Sequence, residues 1–204
     1  MKSLVVFCTF LTLTRGAFAA ETPLQLSSKI STIHGVVEGG AKVDTLAFYV
    51  PAGKLDPSKS LANCTFPEDK YSPNEAGKFM KITVAQSTGE YSIALPMAGI
   101  RGKCEYVLDT AYVNFDNGKV YESLSILTKA KVDHDNKDLI SAGLAPMDVP
   151  SLSSLQKLFC EFNTPDSVGL CQTTDGFLPE INYEMTNEPA GYVLDVEQLK
   201  SESF

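Results

Sequence analysis

STGEYSIALPMAGIRGKCEYVLDTAYVNFDNG, residues 87–118, carries the strongest pattern in this chain of 204 residues. Tyr91, Ile93 and Leu95 alternate with polar or small residues. A glycine-containing break follows, and Cys104, Tyr106 and Leu108 then alternate again. A period of two places every second side chain on one face, the signature of a half-buried strand. Ser87-Thr88-Gly89 supplies a turn before the first run. Ala111, Val113 and Phe115 lead out of the second to Asp116-Asn117-Gly118. An Asn-Gly pair between apolar runs predicts a tight hairpin, because both central residues of that turn take positive φ.

The same period extends outward on both sides. Ile33, Gly35 and Val37 alternate up to Gly39-Gly40, and Leu46, Phe48 and Val50 alternate up to Pro51, which stops the strand. Residues 53–74 hold Pro57, Pro67 and Pro73 and many polar side chains, so they predict a long surface loop carrying Cys64. Met80, Ile82 and Val84 form the next strand, and Leu124 and Ile126 another. Ile181, Tyr183 and Met185 face Tyr192, Leu194 and Val196 across a turn-rich segment, which predicts a second hairpin. One segment looks helical: Ser151 caps a turn bearing Leu152, Leu155 and Phe159, which passes into a strand at Leu158, Cys160 and Phe162. The whole pattern predicts an all-β fold, an antiparallel Greek-key β-sandwich with a β-rich C-terminal extension. A parallel α/β fold needs helices between its strands, and the pattern has none.

The first residues predict an exported chain. Lys2 gives a basic start, Leu4 to Leu13 an apolar run, and Ala17-Phe18-Ala19 the small residues of a cleavage site, so residues 1–19 read as a signal peptide. The run is too short to span a bilayer, which needs roughly 20 apolar residues. The expected division is a β-sandwich domain over 20–150 and a disulfide-closed β-hairpin extension over 151–204. Removing Lys2 and Arg15 with the leader takes the net charge from −8 to −10. An acidic surface without a Lys/Arg cluster repels phosphate backbones and argues against nucleic acid as a partner.

Four cysteines lie beyond the leader: Cys64, Cys104, Cys160 and Cys171. An even number in an exported chain predicts two disulfides with three possible connectivities, and proximity along the chain favours Cys64–Cys104 and Cys160–Cys171. A Cys/His zinc site lacks its usual ligand spacing. The localisation that follows is secreted or periplasmic.

Ile33-His34-Gly35-Val36-Val37-Glu38-Gly39-Gly40, followed by Val43 to Val50, resembles the opening hairpin of carboxypeptidase-regulatory-like or prealbumin-like modules. Thr88-Gly89-Glu90-Tyr91-Ser92-Ile93-Ala94-Leu95-Pro96 resembles another strand of those domains. The likeness covers residues 30–127. It departs from the family in the long loop and in Cys64 and Cys104. It implies a prealbumin- or Ig-like sandwich acting as an extracytoplasmic accessory or binding module, and it carries over no catalytic residue.

Candidate chemistry is sparse. Asp133-His134-Asp135-Asn136-Lys137-Asp138 is the densest set of oxygen ligands, with Asp133, Asp135 and Asp138 as calcium candidates on a solvated turn. A helix–loop–helix calcium site fails, because Lys137 stands where a donor belongs, and Leu144 where a bidentate Glu belongs. No G-x-S-x-G occurs, and His34 and His134 stand apart from any recognisable nucleophile. Without tryptophan, a platform for stacking a sugar has to come from Tyr or Phe. The expected function is an exported, non-catalytic binding or interaction protein without a cofactor, its partner a protein or small molecule. A surface-assembly subunit docking by an edge strand and a secreted hydrolase are the alternatives.

Overall fold

A computed structural model describes residues 21–66, 77–118, 121–149, 151–152, 155–160, 171–173, 182–185 and 190–198. The signal-peptide segment, residues 67–74 of the long loop, Phe162 and Ile181 lie outside them. In chain order the elements are β1 (Leu24–Leu26), β2 (Ile30–Val36), β3 (Lys42–Pro51), α1 (Ala52–Leu55), β4 (Lys78–Ile82) and β5 (Val84–Ser87). Then come β6 (Glu90–Pro96), β7 (Ala98–Arg101), β8 (Cys104–Asp116), β9 (Tyr121–Thr128) and α2 (Lys129–Ser141). The last are β10 (Leu155–Cys160), β11 (Cys171–Thr173), β12 (Asn182–Met185) and β13 (Gly191–Gln198).

Two sheets share one core. The first runs β1-β7-β8-β3-β4, with β9 beside the far half of β8 and β12 beside β9; the second runs β11-β10-β13-β2-β6-β5. Ile33, Ile93, Leu95, Leu158 and Leu194 from the second sheet meet Ala47, Tyr49, Leu108, Val113, Phe115 and Ile126 from the first, all essentially removed from solvent. Each of the larger aliphatic side chains and Phe115 contributes roughly 1.5–3 kcal/mol on burial.

The two alternating runs of residues 87–118 therefore belong to different sheets. Tyr91, Ile93 and Leu95 lie on β6, and Tyr106 and Leu108 on β8. Met97 is the corner between them: its N–H donates to Lys29 O at 2.8 Å, and its carbonyl accepts from Leu108 N at 3.0 Å. The break after Pro96 is where the chain changes sheets. Cys104 follows the tight β7–β8 turn, in which Gly102 takes φ 61°.

Several expectations need correction. The sheets are mixed, not antiparallel throughout, because β13 runs parallel to both β10 and β2, and β12 parallel to β9. Tyr192, Leu194 and Val196 do form a strand with a buried face, but no hairpin joins β12 to β13: each lies in a different sheet. The described strands of the C-terminal third accordingly belong to both sheets, with β13 between β10 and β2. Leu155 to Cys160 is strand rather than helix, since pairing with β13 puts Leu158 and Cys160 inward at a period of two. Ser151 makes an isolated bridge to Glu184. The β8–β9 hairpin is present, but Asp116 faces Tyr121, so the connection is longer than two residues. Among its described residues the positive φ falls at Gly118, whose N–H donates to Asp116 Oδ1 at 2.7 Å.

Candidate functional site

The site begins with a change of phase in β8. Tyr106 and Leu108 are buried, and so are Ala111, Val113 and Phe115, which requires one extra residue between the two sets. Pairing with β3 steps from Tyr49↔Leu108 to Phe48↔Thr110, so Asp109 is the inserted residue of a β-bulge. On the opposite edge of β8, the pairing with β7 ends at Val107 and that with β9 begins at Thr110. Asp109 thus sits where both ladders are interrupted. Bulges redirect side chains in this way, and here the side chain redirected is a carboxyl.

Helix α2 brings the facing groups. It starts at Thr128, whose Oγ1 accepts from Lys131 N at 3.3 Å, and it closes at Gly143 with φ 76°. Among its described residues it buries Val132, while Lys131, His134, Asp135 and Asp138 fall on one face at helical spacing. That face looks across a cleft of about 680 Å³ at Phe48 and Phe79, with Asp109 between them and Val50 and Leu55 completing the apolar lining. Phe48 and Phe79 are cross-strand partners with ring centroids 4.6 Å apart, and Tyr112 continues the row 6.4 Å beyond Phe79. Phe79 is 58% exposed, so this aromatic wall opens to solvent. Gly77 borders the cleft with no side chain, and a Cβ there would overlap the Phe48 ring.

Charge in the cleft is arranged unevenly. Burial pushes the Asp109 carboxyl above the ordinary carboxylate range, while the Thr110 hydroxyl and the Lys131 charge draw it partly back. Thr110 Oγ1 donates to Asp109 Oδ2 at 2.7 Å. Lys131 Nζ turns to Asp135 Oδ1 at 2.6 Å, and His134 Nε2 lies 3.6 Å from Asp138 Oδ2. A buried carboxyl, a histidine and an aromatic wall converge on one concave surface, the usual composition of a small-molecule site.

The calcium candidates occupy helix, not a turn. Asp133 accepts from Lys129 at 2.7 Å and Asp135 from Lys131, four residues away in each case, and Asp138 faces His134. The carboxylates of Asp133 and Asp135 are thus engaged along the helix, and among the described residues no group of three His, Cys, Asp or Glu is placed to hold a metal ion. His134 enters the cleft, an association its place in the sequence did not reveal.

Cys64 and Cys104 are bonded to each other, with Cα atoms 4.9 Å apart, and both are buried. The bond holds the chain after α1 against the β7–β8 turn. Beside it lies Arg101, wholly buried, whose guanidinium rests 3.8 Å from the Phe66 ring centroid. Arg101 Nε donates to Thr22 O at 2.9 Å, its Nη1 lies 3.4 Å from the Tyr106 hydroxyl, and Glu21 stands 3.9 Å from Nη2. Cys160 is disulfide-bonded as well, and its Cα partner across the β10–β11 ladder is Cys171.

His34 lies on the outer face of the second sheet, in a shallower cavity of about 670 Å³ with Ser92 and Asp195. The three residue types suggest a nucleophile set, but Asp195 has another task. Its Oδ1 accepts from Val36 N at 3.0 Å, standing in for a backbone acceptor of β13. The cleft over Asp109 is therefore the stronger candidate, because its carboxyl serves no ladder.

Among the described residues no helix is long and apolar enough to cross a membrane. No family model, curated protein or solved structure matches the chain. Fold and site together define a two-sheet β protein with a helix-flanked cleft on its outer face.

Proposed function

We propose that this chain is an exported, non-catalytic binding protein that holds a small ligand between α2 and the outer face of β3, β4 and β8. The observation that carries this reading is Asp109: a bulge lifts a buried carboxyl out of both ladders and into a cleft walled by Phe48 and Phe79. Such a group costs stability unless it is paired, and a buried carboxyl lining a cleft is a natural place for a bound partner. Export is supported by the apolar leader and by the Cys64–Cys104 bond, which suits an oxidising compartment. The likeness of residues 30–127 to prealbumin-like modules supports an accessory role and a Greek-key type of sandwich.

Hydrolysis is the second reading, favoured by the convergence of Asp109, His134 and Asp135. Binding is preferred for two reasons. The described lining holds no serine, threonine or cysteine nucleophile, and Asp135 is already engaged by Lys131. The test is a fragment screen by NMR on the folded protein, paired with a panel of fluorogenic esters and glycosides. The expected result is saturable shifts around Phe79 and His134, abolished by Phe79→Ala, with no turnover. Turnover by the wild type that Asp109→Asn removes would replace binding by hydrolysis.

A further inference from the structure

Resting on the cleft reading above, we infer that the ligand is an organic ammonium ion, an amine borne on an alkyl or aryl body. Three features of the cleft point the same way. Its apolar wall is aromatic, and the faces of Phe48 and Phe79 attract a cation as well as an apolar chain. Its floor is a desolvated carboxyl whose closest described partner is the neutral Thr110 hydroxyl. An ammonium group supplies the charge complement that a neutral ligand would leave unmet. The charged lining leans negative: Asp109, Asp135 and Asp138 stand against Lys54 and Lys131, with Lys131 turned to Asp135 and Asp138 beside His134.

The whole chain reinforces this selection, because a net charge of −8 enriches cations near its surface and repels anions. The volume of about 680 Å³ suits a ligand of small-molecule size. Among the described residues, the titratable groups facing this space are Asp109 from β8, Lys131, His134, Asp135 and Asp138 from α2, and Lys54 from α1. An ammonium ion favours ionised Asp109. Binding therefore releases a proton wherever that carboxyl is partly protonated in the free protein.

One chemistry has two sources, a free amine or the side chain of a lysine in a protein. The experiment titrates the folded protein with phenethylamine, its neutral analogue 2-phenylethanol, the anion phenylacetate and a blocked Phe-Lys dipeptide, followed by chemical shifts. Phenethylamine is expected to saturate shifts at Phe79 and His134, with 2-phenylethanol at least tenfold weaker and phenylacetate inert. Asp109→Asn should weaken phenethylamine at least tenfold while leaving 2-phenylethanol unchanged. Calorimetry in two buffers of different ionisation heat, run at a pH where Asp109 of the free protein is partly protonated, should show proton release that persists in His134→Gln, which keeps the result readable if the Asp109 variant folds poorly. Tighter binding of the dipeptide assigns the lysine source, and weaker binding the free amine; either supports the ammonium class. Equal binding of 2-phenylethanol, or no proton release, overturns the ammonium class and leaves the cleft reading standing. If none of the four probes moves resonances of the cleft, both fall together.

Discussion

Asp109 is held where a carboxylate is least comfortable, and its titration should report that. Its folded pKa lies above the unfolded one because burial disfavours the charged form. The folded state therefore binds the proton more tightly. The stabilisation is fully present below the ordinary carboxylate pKa and is lost as pH rises through the raised value. Asp109→Asn should abolish that loss and flatten the stability profile across this window, as measured by urea denaturation at successive pH values. The residue was partly legible in the sequence. Tyr106 and Leu108 keep one phase and Ala111, Val113 and Phe115 the other, so an inserted residue had to fall between them. The neighbouring strand hid the rest. Leu46 and Phe48 make the more apolar set in β3, yet they face outward, with Leu46 37% exposed, while Val43, Thr45, Ala47 and Tyr49 fill the core. Composition favours the larger hydrophobes as the inner face. The pairing of Phe48 with Phe79 instead gives them an outer aromatic wall, and so the cleft went unseen.

At the scale of elements, the junction of β2 and β13 is the most demanding. Gly35 faces Leu194 so closely that a Cβ would overlap the Leu194 carbonyl oxygen. That oxygen accepts from the buried Tyr91 hydroxyl at 2.5 Å, and Asp195 meanwhile takes Val36 N, so two side chains complete a ladder that the backbones leave open. Gly35→Ala should cost about 3 kcal/mol by forcing the strands apart. Gly191→Ala, on the same pair of strands with open space around it, should be nearly neutral; equilibrium denaturation of both variants checks the contrast. Elements with a buried face on alternate residues were readable, as β2, β6 and β13 show. Helix α2 was not, because Val132 is its buried apolar residue and Ile140 is 60% exposed. A helix held by a Thr128 cap and ion pairs four residues apart gives no hydrophobic period to detect. Parallel partners were equally hidden, since alternation shows which face is buried and not which strand lies alongside.

For the molecule as a whole, the Cys64–Cys104 bond links the chain after α1 to the first sheet across 40 residues. Replacing both cysteines by serine should destabilise the fold by about 4 kcal/mol, the loop-closure entropy for a ring of that size. Thermal denaturation of the variant should fall between those of the oxidised and the reduced wild type, because reduction also opens the bond at Cys160. Hydrogen exchange should rise first in residues 56–66, where Phe66 loses its seat against Arg101.

The placement of β13 sets an order of assembly. Ser31 Oγ accepts from Ala190 N across 159 residues, and β2 acquires its second neighbour only when the chain near its far end arrives. Until then β2 is an open edge, and Leu194 and Val196 are missing from the core. Closure over so long a span is slow compared with hairpin formation. A nascent chain thus passes through an interval in which β8, β9 and the disulfide can be complete while one sheet still lacks a central strand. During that interval the β2 edge is open to the wrong partner, including the β13 of another copy. Yield at high concentration would then be governed by how quickly residues 190–198 return to their own β2.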